Sequence, residues 1–238
     1  MSYPQRFFDL NLRFARKVVE ASGQPLEDVL LHYTNLYIRF GLGWDLAAAN
    51  PAWREYLQGL ARAEDAAEWT HRFYLEQRQA GPKPPDAPFC CFSYTLADGG
   101  RVRLHFHNGE PPECSPLSKD RMGLRLAELE SMFAHIRREV SAATSIIGAS
   151  WLYNLEAYRR LFPPAYLATA QLGGDDFAYL PLWGQFVDHA GRVKEDLAAR
   201  FLECLDRQRG LEGIEQCFPY QVLHLESPIQ EFYSFYGV

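Results

Sequence analysis

The sequence lacks two features that would indicate membrane or nucleic-acid binding. No apolar run approaches the roughly 20 residues that a membrane-spanning helix needs. Positive charge is not in excess, because 24 Lys and Arg face 30 Asp and Glu and give a formal net charge of −6. A negative net charge argues against non-specific binding to nucleic acids or anionic lipids. We therefore expect no nucleic-acid partner and no membrane partner.

Cysteine is scarce and scattered along the chain. The number of cysteines is odd, none lies in a CxxC pair, and they stand at Cys90, Cys91, Cys114, Cys204 and Cys217. Zinc sites and disulfide frameworks normally show paired or regularly spaced cysteines. The pattern therefore predicts a reduced, cytoplasmic protein with no metal.

The chain is long and rich in aromatic residues. It has 238 residues, of which 47 % are hydrophobic and 14 % aromatic. A chain of this length buries roughly 70 % of its unfolded surface, enough for a core without disulfides or metals. The composition excludes disordered, collagen-like and coiled-coil classes.

The sequence divides at a proline-rich segment. Before it, apolar residues recur at helical spacing from Phe7 to Ala21 and from Leu26 to Phe40. Asn50 predicts the cap of a third helix, and a fourth is expected over residues 64–79. We predict a helical region over 1–81, a connector over 82–88 and a second domain over 89–238.

The second domain shows alternating strand and helix patterns. Asp98-Gly99-Gly100 predicts a hairpin turn between strands at 89–96 and 101–107. Further strands are expected at 145–152, 177–187 and 219–225, and helices at 119–140, 155–161 and 193–207. Together with the helical first region, this order predicts an α+β fold with a mixed sheet.

The start of the helix at 119–140 has the composition of an anion site. Ser118 can cap the helix, and the free N–H groups of the first turn attract phosphate. Positive and hydroxyl side chains gather there: Ser115, Ser118, Lys119, Arg121 and Arg125. The alternative is that Ser118 only caps the helix and that the cations are solvated or paired with Glu128 and Glu113.

Residues 145–162, SIIGASWLYNLEAYRRLF, contain the pattern Asn154-x-x-Ala157-Tyr158 and lead to Phe162. With the preceding strand and the phosphate-type helix start, the segment resembles the core of GNAT-type N-acyltransferases. In that family a strand leads to an asparagine that opens the next helix with N-x-x-A and a tyrosine. The string SWLYN is also similar to bacterial acyltransferase-like proteins with a helical N-terminal region. The resemblance covers residues 89 to about 226 in element order and is strongest over 145–162.

The resemblance implies a GNAT-like second domain that transfers an acyl group from acyl-CoA, or from an acyl carrier, to an amine or hydroxyl. The acceptor would be a small molecule or a peptide. The donor carbonyl would lie between two splayed strands, and the helix start at 115–125 would hold the phosphates. Tyr158, in the Asn154 motif, would protonate the leaving thiolate, and His105 or His107 would be the general base.

Three alternatives stay open at this point. The first is a non-catalytic module that binds a small molecule or a protein, in which the two histidines simply face solvent. The second is a serine hydrolase, because Gly148-Ala149-Ser150 begins like a G-x-S-x-G turn. Its partners would be Asp175 or Asp176 with His189 or His224. The third is a metal bound by His105 and His107, for which no third ligand is specified.

The C-terminal tail over residues 232–238 is rich in aromatic side chains. We expect it to dock on the core, and a contact in a homodimer is the alternative.

Overall fold

The computed structural model describes residues 2–80, 89–173 and 180–238, and the predicted connector at 82–88 lies outside them. The chain forms two compact units. A helical unit comprises Met1–Lys83 and Asp175–Pro219, and a sheet unit comprises Pro84–Gly174 and Tyr220–Val238. The fold is α+β, as predicted.

Helices outnumber strands along the described residues. In chain order, the helices are α1 (Gln5–Ser22), α2 (Leu26–Tyr33), α3 (Leu36–Arg39), α4 (Pro51–Leu60), α5 (Ala66–Ala80), α6 (Met122–Glu139), α7 (Glu156–Arg159), α8 (Pro164–Leu167), α9 (Glu195–Arg207) and α10 (Ile229–Tyr236). The strands are β1 (Phe92–Ala97), β2 (Arg101–Phe106), β3 (Ser145–Ser150), β4 (Gln171–Leu172) and β5 (Leu223–Pro228). Short 3₁₀ turns cover Asp98–Gly100, Lys119–Arg121, Trp151–Asn154, Leu180–Phe186 and Ile214–Cys217.

Local signals set the N-terminal helices. Gly23 ends α1 with φ of 69°, a left-handed conformation that glycine adopts without strain. The side chain of Asn50 accepts hydrogen bonds from the N–H groups of Ala52 and Trp53, which confirms the predicted cap of α4. The apolar face of α1 is fully buried, as the helical spacing indicated.

The returning segment 180–219 belongs to the helical unit, whereas the sequence pattern placed it in the second domain. Its rings complete an aromatic core made by Phe14, Trp183, Phe186, Phe201 and Phe218. The strand expected at 177–187 is wrong in its described part, because Leu180–Phe186 is a 3₁₀ turn. A short run of buried apolar residues fits a strand or a turn equally well, so the sequence pattern is not decisive there.

A disulfide joins Cys204 on α9 to Cys217, 13 residues later. The expectation that every cysteine is reduced is therefore wrong for this pair. Cys90, Cys91 and Cys114 are free.

The sheet has the strand order β1-β2-β3-β5-β4. β1 and β2 pair as an antiparallel hairpin through the turn at Asp98–Gly100, as predicted, and both glycines of that turn have positive φ. β2 and β3 are parallel, while β5 runs antiparallel to both β3 and β4. The last strand begins later than expected, at Leu223 instead of 219.

One face of the sheet is covered by α6 and by the C-terminal helix α10. Leu129, Met132, Phe133 and Ile136 on α6 are buried there together with Phe232 of the tail. The rings of Phe133 and Phe232 stack at 4.9 Å, so the aromatic tail docks on the core as expected.

Candidate functional site

The parallel strands β2 and β3 stay paired for only half their length. Their register joins Arg101 to Ser145, Val102 to Ile146 and Arg103 to Ile147, and the described pairing stops there. Beyond this point β2 continues with β1 and β3 continues with β5. The carboxyl-terminal halves of the two strands therefore have no described pairing with each other, and we call this break in the β2–β3 ladder the strand gap.

Tyrosine hydroxyls lie beside the strand gap. The hydroxyls of Tyr153 and Tyr166 are 2.8 Å apart, and the ring of Tyr153 packs against that of Tyr158 with centroids 5.1 Å apart. A Cβ atom on Gly148 would lie 2.2 Å from the Tyr166 hydroxyl and 2.3 Å from that of Tyr153. Gly148 thus lets this tyrosine cluster (Tyr153, Tyr158 and Tyr166) approach the backbone of β3.

The tyrosine cluster is buried, and Tyr158 is only 2 % exposed. Its ring packs edge-on against Phe106 of β2, with centroids 5.5 Å apart. Burial is the main cause that raises the pKa of all three phenols, so they keep their protons at neutral pH. The cluster therefore holds no negative charge at rest, and its phenols hold their protons more tightly than exposed tyrosines do.

His105 lies on the other face of the sheet, because successive strand residues point to opposite faces and Phe106 faces the tyrosines. Its ring is hydrogen-bonded to the Thr95 hydroxyl at 2.9 Å. Partial burial and the neighbouring Arg103 lower the pKa of His105 and favour the neutral imidazole. His107 lies one residue beyond β2, and its N–H donates to the Cys91 carbonyl.

The start of α6 differs from the capped helix that we expected. Ser118 precedes the 3₁₀ turn in an extended conformation, but its hydroxyl makes no capping hydrogen bond. Its N–H donates to the Ser115 carbonyl at 3.1 Å. Lys119 is exposed and has no ion-pair partner among the residues that the structure describes. Arg121 donates to the Cys114 sulfur at 3.1 Å and lies 3.9 Å from Glu110.

Arg125 lies inside the protein and not at the exposed helix start. It is 2 % exposed, and its Nη2 atom lies 2.8 Å from Glu110 and 2.7 Å from Glu128. Its Nη1 atom contacts the Cys91 sulfur. The pairing with Glu128 matches the alternative expectation for the cations, while Glu113 is not part of it. We call Glu110, Arg125 and Glu128 the buried ion cluster.

The sequence analysis missed two side-chain hydrogen bonds that hold this region in place. Glu110 was not expected to pair with Arg125, 15 residues away. Arg160, just after α7, donates from Nη2 to the Leu117 carbonyl at 2.8 Å. Asn154 has a structural position, because its amide donates to the carbonyls of Trp151 and Gln221.

The serine of the G-x-S pattern is not arranged as a nucleophile. The Ser150 hydroxyl accepts a hydrogen bond from the N–H of Leu152 in the turn after β3. His224 pairs with Ala149 in the ladder, so its side chain points to the face opposite Ser150. Asp175 and Asp176 lie outside the described residues.

Other kinds of site were sought over the same residues. Within the three described ranges, no group of three or more His, Cys, Asp or Glu is placed to hold a metal ion. No helix in those ranges is long and apolar enough to cross a membrane. Two shallow cavities, of about 240 and 150 Å³, lie on the helical unit and contain none of the predicted site residues.

Phe106 of β2, Gly148 of β3 and Tyr158 of α7 are thus brought together at the strand gap. Comparison with protein-family models, curated proteins and solved structures gave no match to this chain.

Proposed function

We propose that the protein is an acyltransferase that takes an acyl group from acyl-CoA, or from an acyl-carrier thioester, and passes it to an amine or hydroxyl. The acceptor is a small molecule or a peptide. The observation that carries this proposal is the strand gap, since β2 and β3 separate after Arg103 and Ile147. The GNAT-type resemblance of residues 145–162 leads to the same reaction.

The strand gap suits the thioester arm of such a donor. Where β2 and β3 part, the facing edges have backbone N–H and C=O groups without a partner in the described β2–β3 ladder. An extended ligand with amide groups binds such edges as an added strand would. The pantetheine arm of coenzyme A and of acyl carriers is an extended chain with amides, so it matches the gap in chemistry.

The start of α6 is proposed to bind the phosphates of the donor. The N–H groups and the dipole of an 18-residue helix favour an anion there. Lys119 is exposed and free to contact it, and Arg121, Ser115 and Ser118 are adjacent in sequence. Arg125 has a different role, because the buried ion cluster holds it.

In the proposed acyl transfer, the acceptor loses one proton and the leaving thiolate gains one. The acceptor attacks the thioester carbon, a C–N or C–O bond forms, and the C–S bond breaks. His105 takes the proton of the acceptor, with His107 as the alternative base. Tyr158 of the tyrosine cluster supplies the proton to the thiolate. In this proposal base and acid approach the thioester from opposite faces of the sheet, because His105 and Phe106, which packs on Tyr158, point to opposite faces of β2.

A binding module without catalysis is the second candidate. The observation in its favour is the 2 % exposure of Tyr158 within a packed aromatic cluster. A cytoplasmic location, where acyl-CoA is available, belongs to the first proposal, although the Cys204–Cys217 disulfide is unusual there.

The first experiment measures donor binding by the intact chain. Coenzyme A, acetyl-CoA and longer acyl-CoAs are titrated by calorimetry and by thermal shift, because a ligand of the native state stabilises it by RT ln(1 + [L]/Kd). We expect binding by the wild type, and a loss of at least about tenfold in affinity for Lys119→Ala combined with Arg121→Ala. Arg138→Ala, an exposed arginine at the other end of α6, is the matched control and should bind normally. A wild type that gives no shift with about millimolar ligand rules the proposal out.

The second experiment separates the enzyme from the module. Release of free thiol from acetyl-CoA is followed with a panel of amines and alcohols. Tyr158→Phe removes one hydroxyl and should lower kcat about 100-fold with an unchanged Kd for coenzyme A. Tyr94→Phe on β1 is the control. Donor binding without turnover by the wild type on every acceptor supports the module instead.

A further inference from the structure

The loop between β2 and α6, residues 107–118, is tied to the rest of the sheet unit by several contacts, two of which come from buried or partly buried arginines. Near its beginning, Glu110 is bound by Arg125 of the buried ion cluster. Near its end, the Leu117 carbonyl accepts a hydrogen bond from Arg160, 43 residues away in sequence. The loop is also held where the His107 N–H donates to the Cys91 carbonyl and where Arg121 donates to the Cys114 sulfur.

The Arg160 contact joins the two functional ends of the proposed site. Leu117 comes two residues before Lys119, where the phosphates of the donor are expected. Arg160 comes two residues after Tyr158, the proposed proton donor of the tyrosine cluster. A guanidinium is always charged and donates strongly to a carbonyl, so this bond ties the backbone beside the expected phosphate end to the segment of the proton-donating end.

We propose that Arg160 is a positioning residue of the donor site: by holding the Leu117 carbonyl, it places Lys119 and the start of α6 at the mouth of the strand gap. The inference rests on the proposed function and adds a residue that determines the affinity for the donor. Arg160 acts through the loop, not on the reacting atoms.

The chain contains its own matched control. Arg159 is the last residue of α7 and is exposed, and its side chain has no hydrogen bond or ion pair in the described part of the structure. Removing either arginine changes the net charge of the same helix end by one unit. A purely electrostatic effect is therefore expected from both variants, and a positioning effect only from Arg160.

The test compares Arg160→Ala, Arg160→Lys and Arg159→Ala with the wild type. The ligands are coenzyme A and 3′,5′-ADP, which has the nucleotide phosphates without the thiol arm. For Arg160→Ala we expect Kd for both ligands to rise at least about tenfold, because the phosphate-binding groups lose their position. Arg160→Lys should recover to within about threefold, since its ammonium still donates to the carbonyl, and Arg159→Ala should stay within about twofold.

A KM-against-kcat comparison separates positioning from a general loss of structure. With acetyl-CoA, Arg160→Ala should raise KM with kcat at saturating donor reduced less than about threefold. If Arg160→Ala does not fold, Arg160→Gln keeps an N–H donor without the charge and should give a smaller rise in Kd, of about three- to tenfold.

The outcomes distinguish this inference from the proposed function. A wild type that binds neither ligand overturns both. A wild type that binds coenzyme A, together with an Arg160→Ala protein of unchanged affinity, overturns only the role of Arg160. Equal losses from Arg159→Ala and Arg160→Ala overturn it as well, because the effect is then one of net charge.

Discussion

The helical unit and the sheet unit each hold an irregular segment in place, but through different kinds of contact. In the helical unit, residues 208–219 are held by the Cys204–Cys217 disulfide and by Phe218 in the aromatic core. In the sheet unit, the loop at 107–118 is held by a buried ion cluster and by the Arg160 contact. A disulfide and packed rings do not depend on pH, whereas the contacts of a buried arginine change with the protonation of its carboxyl partners. The loop that the buried ion cluster holds ends at the proposed phosphate site. A change in the stability of this cluster is therefore expected to change the geometry of that site.

The largest effect should come from breaking the buried ion cluster. Arg125→Ala leaves Glu128 without a cation in a largely buried position and Glu110 with only the more distant Arg121, so we expect a loss of about 3–5 kcal/mol in the free energy of unfolding. Urea unfolding measures it. Arg138→Ala is the control, since Arg138 and its partner Glu139 are both exposed, and it should change stability by less than about 1 kcal/mol. A loss for Arg125→Ala no larger than that of the control contradicts the importance of the cluster.

Reduction of the disulfide should have the next largest effect. Opening a loop of this length costs about 3 kcal/mol of stability. We expect the urea midpoint of the wild type to fall on addition of a reductant, while the Cys204→Ser, Cys217→Ser double variant is low from the start and does not respond further. Titration of the unfolded, unreduced protein should find the three thiols of Cys90, Cys91 and Cys114. Five reactive thiols instead show that the disulfide is not formed.

Local signals made part of this fold predictable. Asn50 caps a helix through bonds to the next few residues, and Asp98–Gly100 turns a hairpin through its own backbone geometry. Such signals act within a few residues, so they appear in the sequence. The α+β class, the N-terminal helices and the docked aromatic tail followed from them and from apolar spacing.

The remaining features depend on chain segments that meet only after folding. The bond from Arg160 to Leu117 and the Cys204–Cys217 disulfide leave no periodic signal. The sequence showed that Arg125 is a cation near a helix start. It did not show that Arg125 would be buried in an ion pair with Glu110 of the preceding loop. The strand expected at 177–187 is wrong over Leu180–Phe186 for a related reason, since the side chains there are buried against distant helices, as Trp183 is against Phe14 of α1.

The smallest and most specific prediction concerns Glu128. Its carboxyl is largely buried, and this burial raises its pKa above the ordinary value of 4.5 in spite of Arg125 and the N–H of Cys91, with Glu110 acting in the same direction as burial. A carboxyl whose pKa is raised on folding favours the native state when protonated, and that contribution is lost as the pH rises through the raised pKa. Glu128→Gln does not titrate and keeps an acceptor oxygen for Arg125. The stability of the wild type relative to Glu128→Gln should therefore fall as the pH rises from about 4.5 towards neutrality, by about 1 kcal/mol or less. Urea unfolding of both proteins at several pH values measures the difference. If the free energy of unfolding of the wild type instead rises relative to Glu128→Gln over the same range, the attraction to Arg125 outweighs the effect of burial. The buried ion cluster is then stabilised by charge on both carboxylates.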